Sequence, residues 1–121
     1  MAEDGILVVD DDPLVRKVIQ RALERAGYRV VLADHGAAGL AALDADPHIR
    51  LLVSDVMMDD MIGSELVAAA RARRPDLRFV YMSGETPENL PLVGIDATTQ
   101  AFLAKPFKPV ELLEKVKGVL G

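Results

Sequence analysis

The chain is 121 residues long, half of its residues are hydrophobic, and it carries a formal net charge of −5. This length predicts a single domain over residues 1–121, with enough apolar material for a packed core. The acidic balance disfavours direct nucleic-acid binding, and the lack of cysteine excludes disulfides and thiolate metal sites. Because it has neither a basic leader followed by an apolar stretch nor a bilayer-length apolar run, we expect a cytoplasmic protein with no membrane insertion.

The first half of the chain alternates apolar strands with helices. A strand predicted over Gly5–Asp10 is an apolar run ending in aspartate, as central parallel strands buried on both faces often are. A helix follows over Pro13–Ala26, with Asp12 as its N-cap and Gly27 as its stop. The next elements are a strand Tyr28–Ala33, a helix Ala37–Ala45 and a second aspartate-ended strand Arg50–Asp55.

The second half continues the alternation with one weak element. In order, it predicts a helix Ser64–Arg74, a strand Arg78–Ser83, a helical segment Thr86–Thr98, a strand Ala101–Lys105 and a closing helix Pro109–Leu120. Pro87, Pro91 and Gly94 interrupt the fourth helical segment, so we expect it to be short or irregular.

Strict alternation of strands and helices predicts parallel strands joined by right-handed crossovers. Five strands in a chain of this length favour an α/β fold with an open, doubly wound parallel sheet, since a closed barrel needs about 250 residues. Ligands of such sheets bind beyond the carboxyl ends of the strands. The polar residues found there are Asp10, Asp11, Asp55, Ser83 and Lys105.

Each of these side chains also has a purely structural interpretation. An aspartate after a strand is often a helix cap, which is the better explanation of Asp12. A serine in that place often forms a turn, and Lys-Pro is a common turn dipeptide. Their coincidence at one edge of the sheet nevertheless favours a functional site.

Carboxylates gathered at one edge repel one another unless a cation compensates them. Mg²⁺ suits such a site because it prefers oxygen ligands, whereas His35 and His48 lie away from the strand ends and are interpreted as surface residues. Beside a bound cation, Asp55 is a candidate nucleophile that forms a mixed anhydride with phosphate. Lys105 and Ser83 add a positive charge and a hydroxyl donor for the phosphoryl oxygens.

The segments VVDDDP, VSDVMM, YMSGE and FLAKPF, in this order and spacing, resemble the receiver domain of two-component response regulators, the CheY-like family, along nearly the whole chain. The resemblance implies a flavodoxin-like (βα)5 fold with strand order 2-1-3-4-5. It implies that Asp55 is phosphorylated by a phosphohistidine of a histidine kinase or a histidine-phosphotransfer protein. Ser83 and Lys105 match the hydroxyl and lysine positions of the family motif. The implied Mg²⁺ ligands are Asp10 (partly through water), Asp11, Asp55 and the backbone carbonyl of Met57.

The same resemblance assigns a switch and two contact surfaces. Ser83 and Phe102 match the hydroxyl and the aromatic ring that move together on phosphorylation, with a core role for Phe102 an equally weighted alternative. Leu14 and Pro13 are assigned to docking of a helical phosphodonor, and an ordinary exposed position is the alternative for Leu14. The fourth helical segment, fifth strand and fifth helix form the expected face for a downstream protein. The bond before Pro106 is expected to be cis.

The loop after the third strand departs from the family pattern. Asp59 stands where the family usually has proline, and Ile62 stands before Gly63 where aspartate or asparagine is common. These residues predict a more acidic and less rigid loop, and we interpret Asp59 and Asp60 as solvated.

We therefore expect a phosphoacceptor switch without an output domain, either a stand-alone regulator or the receiver of a hybrid histidine kinase. No turnover of a separate substrate is expected. One alternative is a degenerate receiver that only binds other proteins. A second is a small aspartyl-phosphate hydrolase, which would need an acid-x-acid motif and a cap over the site. A flavodoxin-like cofactor binder is a third, although the segment DDDPLVR would repel a phosphate.

Overall fold

The computed structural model of the protein describes residues 4–84, 89–96 and 99–120. Within them five parallel strands form one sheet in the order β2-β1-β3-β4-β5. The strands are β1 (Gly5–Val9), β2 (Arg29–Ala33), β3 (Ile49–Asp55), β4 (Arg78–Ser83) and β5 (Phe102–Ala104). The α-helices of the described residues are α1 (Pro13–Arg25), α2 (Gly36–Ala45), α3 (Gly63–Arg73) and α4 (Pro109–Leu120). The predicted fold class and strand order are confirmed.

Helices cover both faces of the sheet. Alternate residues of β1 point to opposite sides, so Leu7 packs in the core under α2 and α3 while Ile6 packs under α1 and α4. All five residues of β1 are buried, as expected of a central parallel strand. Among the described residues, no helix has the length and hydrophobicity needed to cross a bilayer.

The register of the strands brings their carboxyl ends together in a stepwise manner. Val9 of β1 pairs with Ser54 of β3, so the following residues, Asp10 and Asp55, lie at the same level. Asp55 pairs with Met82 of β4, which places Ser83 one residue further along. Ser83 pairs with Ala104 of β5, and Lys105 follows directly. Four of the five predicted site residues therefore occupy adjacent strand ends.

Helix α1 begins as the sequence predicts. The carboxylate of Asp12 accepts a hydrogen bond of 2.9 Å from the backbone N–H of Leu14, and proline occupies the first turn. The chain leaves the helix through Gly27, whose φ of 94° favours glycine. The structural interpretation of Asp12 is confirmed.

The fourth helical segment is short, as predicted. Between β4 and β5 the described residues contain one 3₁₀ turn, Leu90–Val93, which ends at Gly94 with a φ of 80°. Pro91 lies inside the turn, whereas Thr86, Pro87 and Thr98 lie outside the described residues. The other predicted strands and helices agree with the structure to within one residue at each end.

Candidate functional site at the carboxyl ends of the strands

Asp10, Asp11 and Asp55 meet at the carboxyl ends of β1 and β3. One carboxylate oxygen from each residue lies within 4.8 Å of the other two. Asp10 is completely buried, Asp55 is 14% exposed and Asp11 is open to solvent. The structure thus brings together the three carboxylates that the sequence analysis placed at one edge of the sheet.

Four hydrogen bonds hold Asp10 in place, one of them from its own backbone N–H to the carbonyl of Ala33 at 3.2 Å. The backbone N–H of Asp12 donates to its Oδ1 at 2.9 Å, and Nζ of Lys105 donates to its Oδ2 at 2.7 Å. Nη1 of Arg16 donates to its backbone carbonyl at 2.5 Å. The sequence did not reveal this role of Arg16, because its partner is a backbone carbonyl, which no pattern of residue types marks.

Lys105 connects the carboxylates of two strands. Besides its contact with Asp10, its Nζ lies 3.5 Å from Oδ1 of Asp55. Its backbone N–H donates to the carbonyl of Ser83 at 2.8 Å, which anchors the residue to the end of β4. The bond from Lys105 to Pro106 is cis, as the family resemblance implied.

Burial and neighbouring charges shift the pKa values of this site. Burial raises the pKa of Asp55, and the negative charges of Asp10 and Asp11 act in the same direction, while Lys105 opposes them. Burial disfavours the charged form of Lys105, but its contacts with Asp10 and Asp55 outweigh it and raise the pKa of the ammonium group. Three carboxylates of the site thus face the one ammonium group of Lys105.

The other predicted site residues lie on or near this edge. Ser83 is buried at the end of β4. Met57 lies in the loop directly after β3, where its backbone pairs with that of Ile62. Phe102 of β5 is half-buried opposite Tyr81 and packs against the core on the side of α3. Their functional roles stay predictions.

Leu14 and Pro13 lie on the surface beside the site. Leu14 is 73% exposed and, with four other apolar residues, lines a shallow groove of about 360 Å³ that reaches Lys105. We call these five residues the α1 patch: Leu14, Val15, Val18, Pro106 and Phe107.

The loop between β3 and α3 corrects one interpretation. Asp60 is not merely solvated, because its carboxylate accepts hydrogen bonds from the backbone N–H groups of Gly36 and Ala37, both at 2.9 Å. Asp59 is exposed, in agreement with the solvated interpretation. Helix α2 begins at Gly36 without a side-chain cap of its own, so its first N–H groups need an acceptor from elsewhere. This need is only a weak signal for Asp60, because it does not say which acceptor meets it.

Comparison with known proteins agrees with this geometry. A sequence model described as the response regulator receiver domain matches residues 6–117. The chain is 34% identical over 119 residues to chemotaxis protein CheY1 of Helicobacter pylori J99, covering 96% of each. It is 36% identical over 115 residues to response regulator MprA of Mycobacterium ulcerans, covering 95% of this chain and 49% of that protein.

Solved structures give the same result. The chemotaxis protein CheY4 of Vibrio cholerae superimposes with a TM-score of 0.83 at 31% identity, covering 96% of this chain and 98% of that one. The receiver domain of the hybrid histidine kinase CckA superimposes with a TM-score of 0.81 at 32% identity, covering 97% and 99%. The similarity thus extends over whole receiver domains of two kinds of protein, a chemotaxis regulator and a hybrid kinase.

Proposed function

The chain belongs to the response regulator receiver domain family of two-component signalling, and from this premise we propose that it is a phosphoacceptor switch in which Asp55 takes a phosphoryl group from a partner phosphohistidine. The observation that carries the proposal is the meeting of three carboxylates within 4.8 Å of one another beside the ammonium group of Lys105. Lys105 is shared between Asp10 at 2.7 Å and Asp55 at 3.5 Å, so the largely buried charge of Asp55 is only partly compensated, which is costly.

The donor set fits Mg²⁺. The carboxylates of Asp10, Asp11 and Asp55 against the ammonium of Lys105 leave a formal excess of two negative charges, and carboxylate oxygens are the ligands this ion prefers. We propose that these three residues and the backbone carbonyl of Met57 hold it. When bound, Mg²⁺ neutralises charge that develops on the phosphoryl oxygens.

In the proposed transfer, a carboxylate oxygen of Asp55 forms a bond to phosphorus. The bond between phosphorus and the donor's imidazole nitrogen breaks, and its electron pair stays on the imidazole. The product is an acyl phosphate on Asp55. Lys105, already held between Asp10 and Asp55, supplies a fixed positive charge for a phosphoryl oxygen, so little reorganisation is needed during the reaction.

Ser83 and Phe102 form the proposed switch. Ser83 ends β4 one residue beyond the level of Asp55, which supports its hydroxyl as a donor to the phosphoryl group. Phe102 lies on β5 and is only half-buried, which leaves the ring room to turn. Phosphorylation adds roughly −1.5 to −2 charges, enough to shift a two-state equilibrium separated by a few kcal/mol. The proposed output face is the 3₁₀ turn with β5 and α4.

The α1 patch is the proposed docking surface for the phosphodonor. Its apolar side chains line a groove that ends at Lys105, next to the acceptor. A helix of the donor seated there would bring its histidine to the open end of the site. We place this exchange in the cytoplasm, with a histidine kinase or a histidine-phosphotransfer protein as partner and without turnover of a separate substrate.

The test is incubation with acetyl phosphate, with and without Mg²⁺, followed by intact-mass measurement. We expect one phosphoryl group on the wild type with Mg²⁺, none after its removal, and none on Asp55→Asn. Asp59→Asn is the control, because it removes the same charge from the same loop and should still be labelled. A wild type that takes up no phosphoryl group, or an Asp55→Asn variant labelled as fully as the wild type, would contradict the proposal.

A further inference from the structure

The loop between β3 and α3 closes on itself despite lacking the expected proline. The backbone N–H of Gly63 donates to the carbonyl of Val56 at 2.6 Å, and Met57 pairs with Ile62 in an isolated bridge. The N–H of Ile62 also binds the carboxylate of Glu65 at 3.1 Å. These contacts bring the two ends of the loop together, but they do not attach it to the rest of the protein.

The buried side chain of Met58 attaches the loop to the core, and Asp60 adds a polar attachment to α2. Its two carboxylate oxygens accept hydrogen bonds of 2.9 Å from the backbone N–H groups of Gly36 and Ala37 at the start of α2. These bonds lower the pKa of Asp60, because they stabilise its ionised form. The next residue, Met61, packs so closely on Gly36 that a Cβ there would lie 2.5 Å from its side chain.

Helix α2 in turn packs on β1, the strand that Asp10 and Asp11 follow. A Cβ at Gly39 would lie 2.9 Å from the side chain of Val9, and Val9 directly precedes Asp10. Leu43 of the same helix is fully buried in the core. The loop after β3 is therefore joined to β1 by a path through α2 as well as by the sheet.

We infer that Asp60 is a positioning residue for the metal and phosphoryl site, holding the loop that carries Met57 against α2 and thereby against β1. This inference rests on the proposed function, because it assigns Met57 to the metal. Asp60 touches neither the metal position nor the phosphoryl group. It acts by limiting the motion of the loop, which is the task that proline performs by restricting φ.

Asp59 supplies a matched control. It carries the same charge, lies one residue away on the same loop and is exposed, and within the described part of the chain no hydrogen bond joins it to α2. Removing either carboxylate weakens the attraction of the site for a cation by a similar long-range effect. If a measured change is larger for the Asp60 variants than for the Asp59 variants, the excess therefore reports the loss of the hydrogen bonds to α2 rather than the loss of charge.

The experiment compares Asp60→Ala and Asp60→Asn with Asp59→Ala and Asp59→Asn. Amide hydrogen exchange is measured on the metal-free proteins, and Mg²⁺ affinity is measured by titration calorimetry. We expect exchange at Gly36, Ala37 and Gly63 to be faster in Asp60→Ala than in the wild type and unchanged in both Asp59 variants. We also expect a Mg²⁺ dissociation constant about tenfold higher in Asp60→Ala than in Asp59→Ala. Asp60→Asn, whose amide has one oxygen, should lie between Asp60→Ala and the wild type, and it replaces Asp60→Ala should that variant not fold.

The outcomes separate the two proposals. Equal Mg²⁺ dissociation constants in the Asp59 and Asp60 variants would overturn the inference while leaving the proposed function intact, whatever the exchange rates. Unchanged exchange at Gly36 and Ala37 would overturn it as well. A wild type that binds no Mg²⁺ and takes no phosphoryl group would overturn the proposed function, and the positioning role of Asp60 with it.

Discussion

Asp10, Asp11 and Asp55 differ in burial and in how many of their oxygens are already engaged. Asp10 is fully buried, and each of its carboxylate oxygens accepts a hydrogen bond, one from Asp12 and one from Lys105. Asp55 is partly exposed, and Nζ of Lys105 approaches its Oδ1 no closer than 3.5 Å. This difference favours Asp55 over Asp10 as the acceptor, because the carboxylate of Asp55 is the more accessible of the two.

Gly63 allows the loop to return next to the acceptor. A Cβ at this position would lie 2.5 Å from the carbonyl oxygen of Asp55 and 3.1 Å from Cα of Val56, and backbone atoms cannot rotate away. We expect Gly63→Ala to lose about 1–3 kcal/mol of unfolding free energy and to be phosphorylated more slowly, because the backbone of Asp55 must shift.

Gly118→Ala is the matched control for this change, measured by urea unfolding of both variants. Gly118 is exposed within α4, and a Cβ there would meet nothing within 4 Å. Alanine should therefore stabilise the helix by about 0.5–1 kcal/mol. A Gly63→Ala protein as stable as the wild type would show that the loop does not approach Asp55 as closely as described.

At the scale of elements, side chains tie the amino-terminal ends of the strands to the ends of the helices. The guanidinium of Arg74, which follows α3, donates to the backbone carbonyls of Leu43, Asp46 and Ile49. The carboxylate of Asp46 accepts two hydrogen bonds from Arg29, at 2.6 and 3.1 Å. These contacts lie at the opposite end of the sheet from the acceptor, so we assign them to stability.

The pair of Arg29 and Asp46 makes stability dependent on pH. The hydrogen bonds from Arg29 lower the pKa of Asp46 below its usual 3.8, so the folded state favours the ionised form. Its stabilising contribution is present above the unfolded pKa and is lost as the pH falls through the folded value. Because Arg29 is 38% exposed, solvent screening limits the expected loss in Asp46→Asn at neutral pH to about 1 kcal/mol.

Urea unfolding of the wild type and Asp46→Asn across a pH series measures this difference, which should shrink below pH 3.8. Asp44→Asn is the control. Asp44 pairs with Arg73 at 2.9 Å but is 55% exposed, so its replacement should change stability by a few tenths of a kcal/mol at most. A constant difference between the wild type and Asp46→Asn at every pH would contradict the electrostatic origin.

At the scale of the whole molecule, the proposed input and output surfaces lie on different elements. The α1 patch adjoins the acceptor through Lys105, whereas the proposed output face lies around β5 and the 3₁₀ turn. Each surface has one strongly exposed leucine, Leu14 at 73% and Leu92 at 83%. These two residues allow the surfaces to be tested separately.

Leu14→Asp places a charge in the proposed docking groove. We expect it to reduce the rate of phosphotransfer from a purified histidine phosphodonor that labels the wild type by about tenfold, or 1.4 kcal/mol. Labelling by acetyl phosphate should not change, because this donor needs no docking surface. Leu92→Asp makes the same chemical change outside the groove and should leave both rates unaltered. Equal phosphotransfer rates for Leu14→Asp and Leu92→Asp would argue against docking on the α1 patch.

Most of the fold was predictable because its signals are local. Apolar strands ending in aspartate, helices with caps, and proline and glycine stops depend on neighbouring residues, and they predicted the element bounds to within one residue. The short fourth helical segment was predicted in the same way from Pro91 and Gly94. The rule that parallel strands gather their carboxyl ends then located the candidate site.

The sequence by itself determined which groups lie at the strand ends and what chemistry they can do. Residue type and the alternation of strands and helices are local properties of the chain. Only the tertiary structure decided how they are held. Lys105 reaches Asp10 across 95 residues and Asp60 reaches Gly36 across 24. Such contacts depend on strand register and on the seating of α2, which arise from packing between distant segments. For that reason the sequence predicted Asp60 only as a solvated acid, whereas the structure shows that it joins the loop to α2.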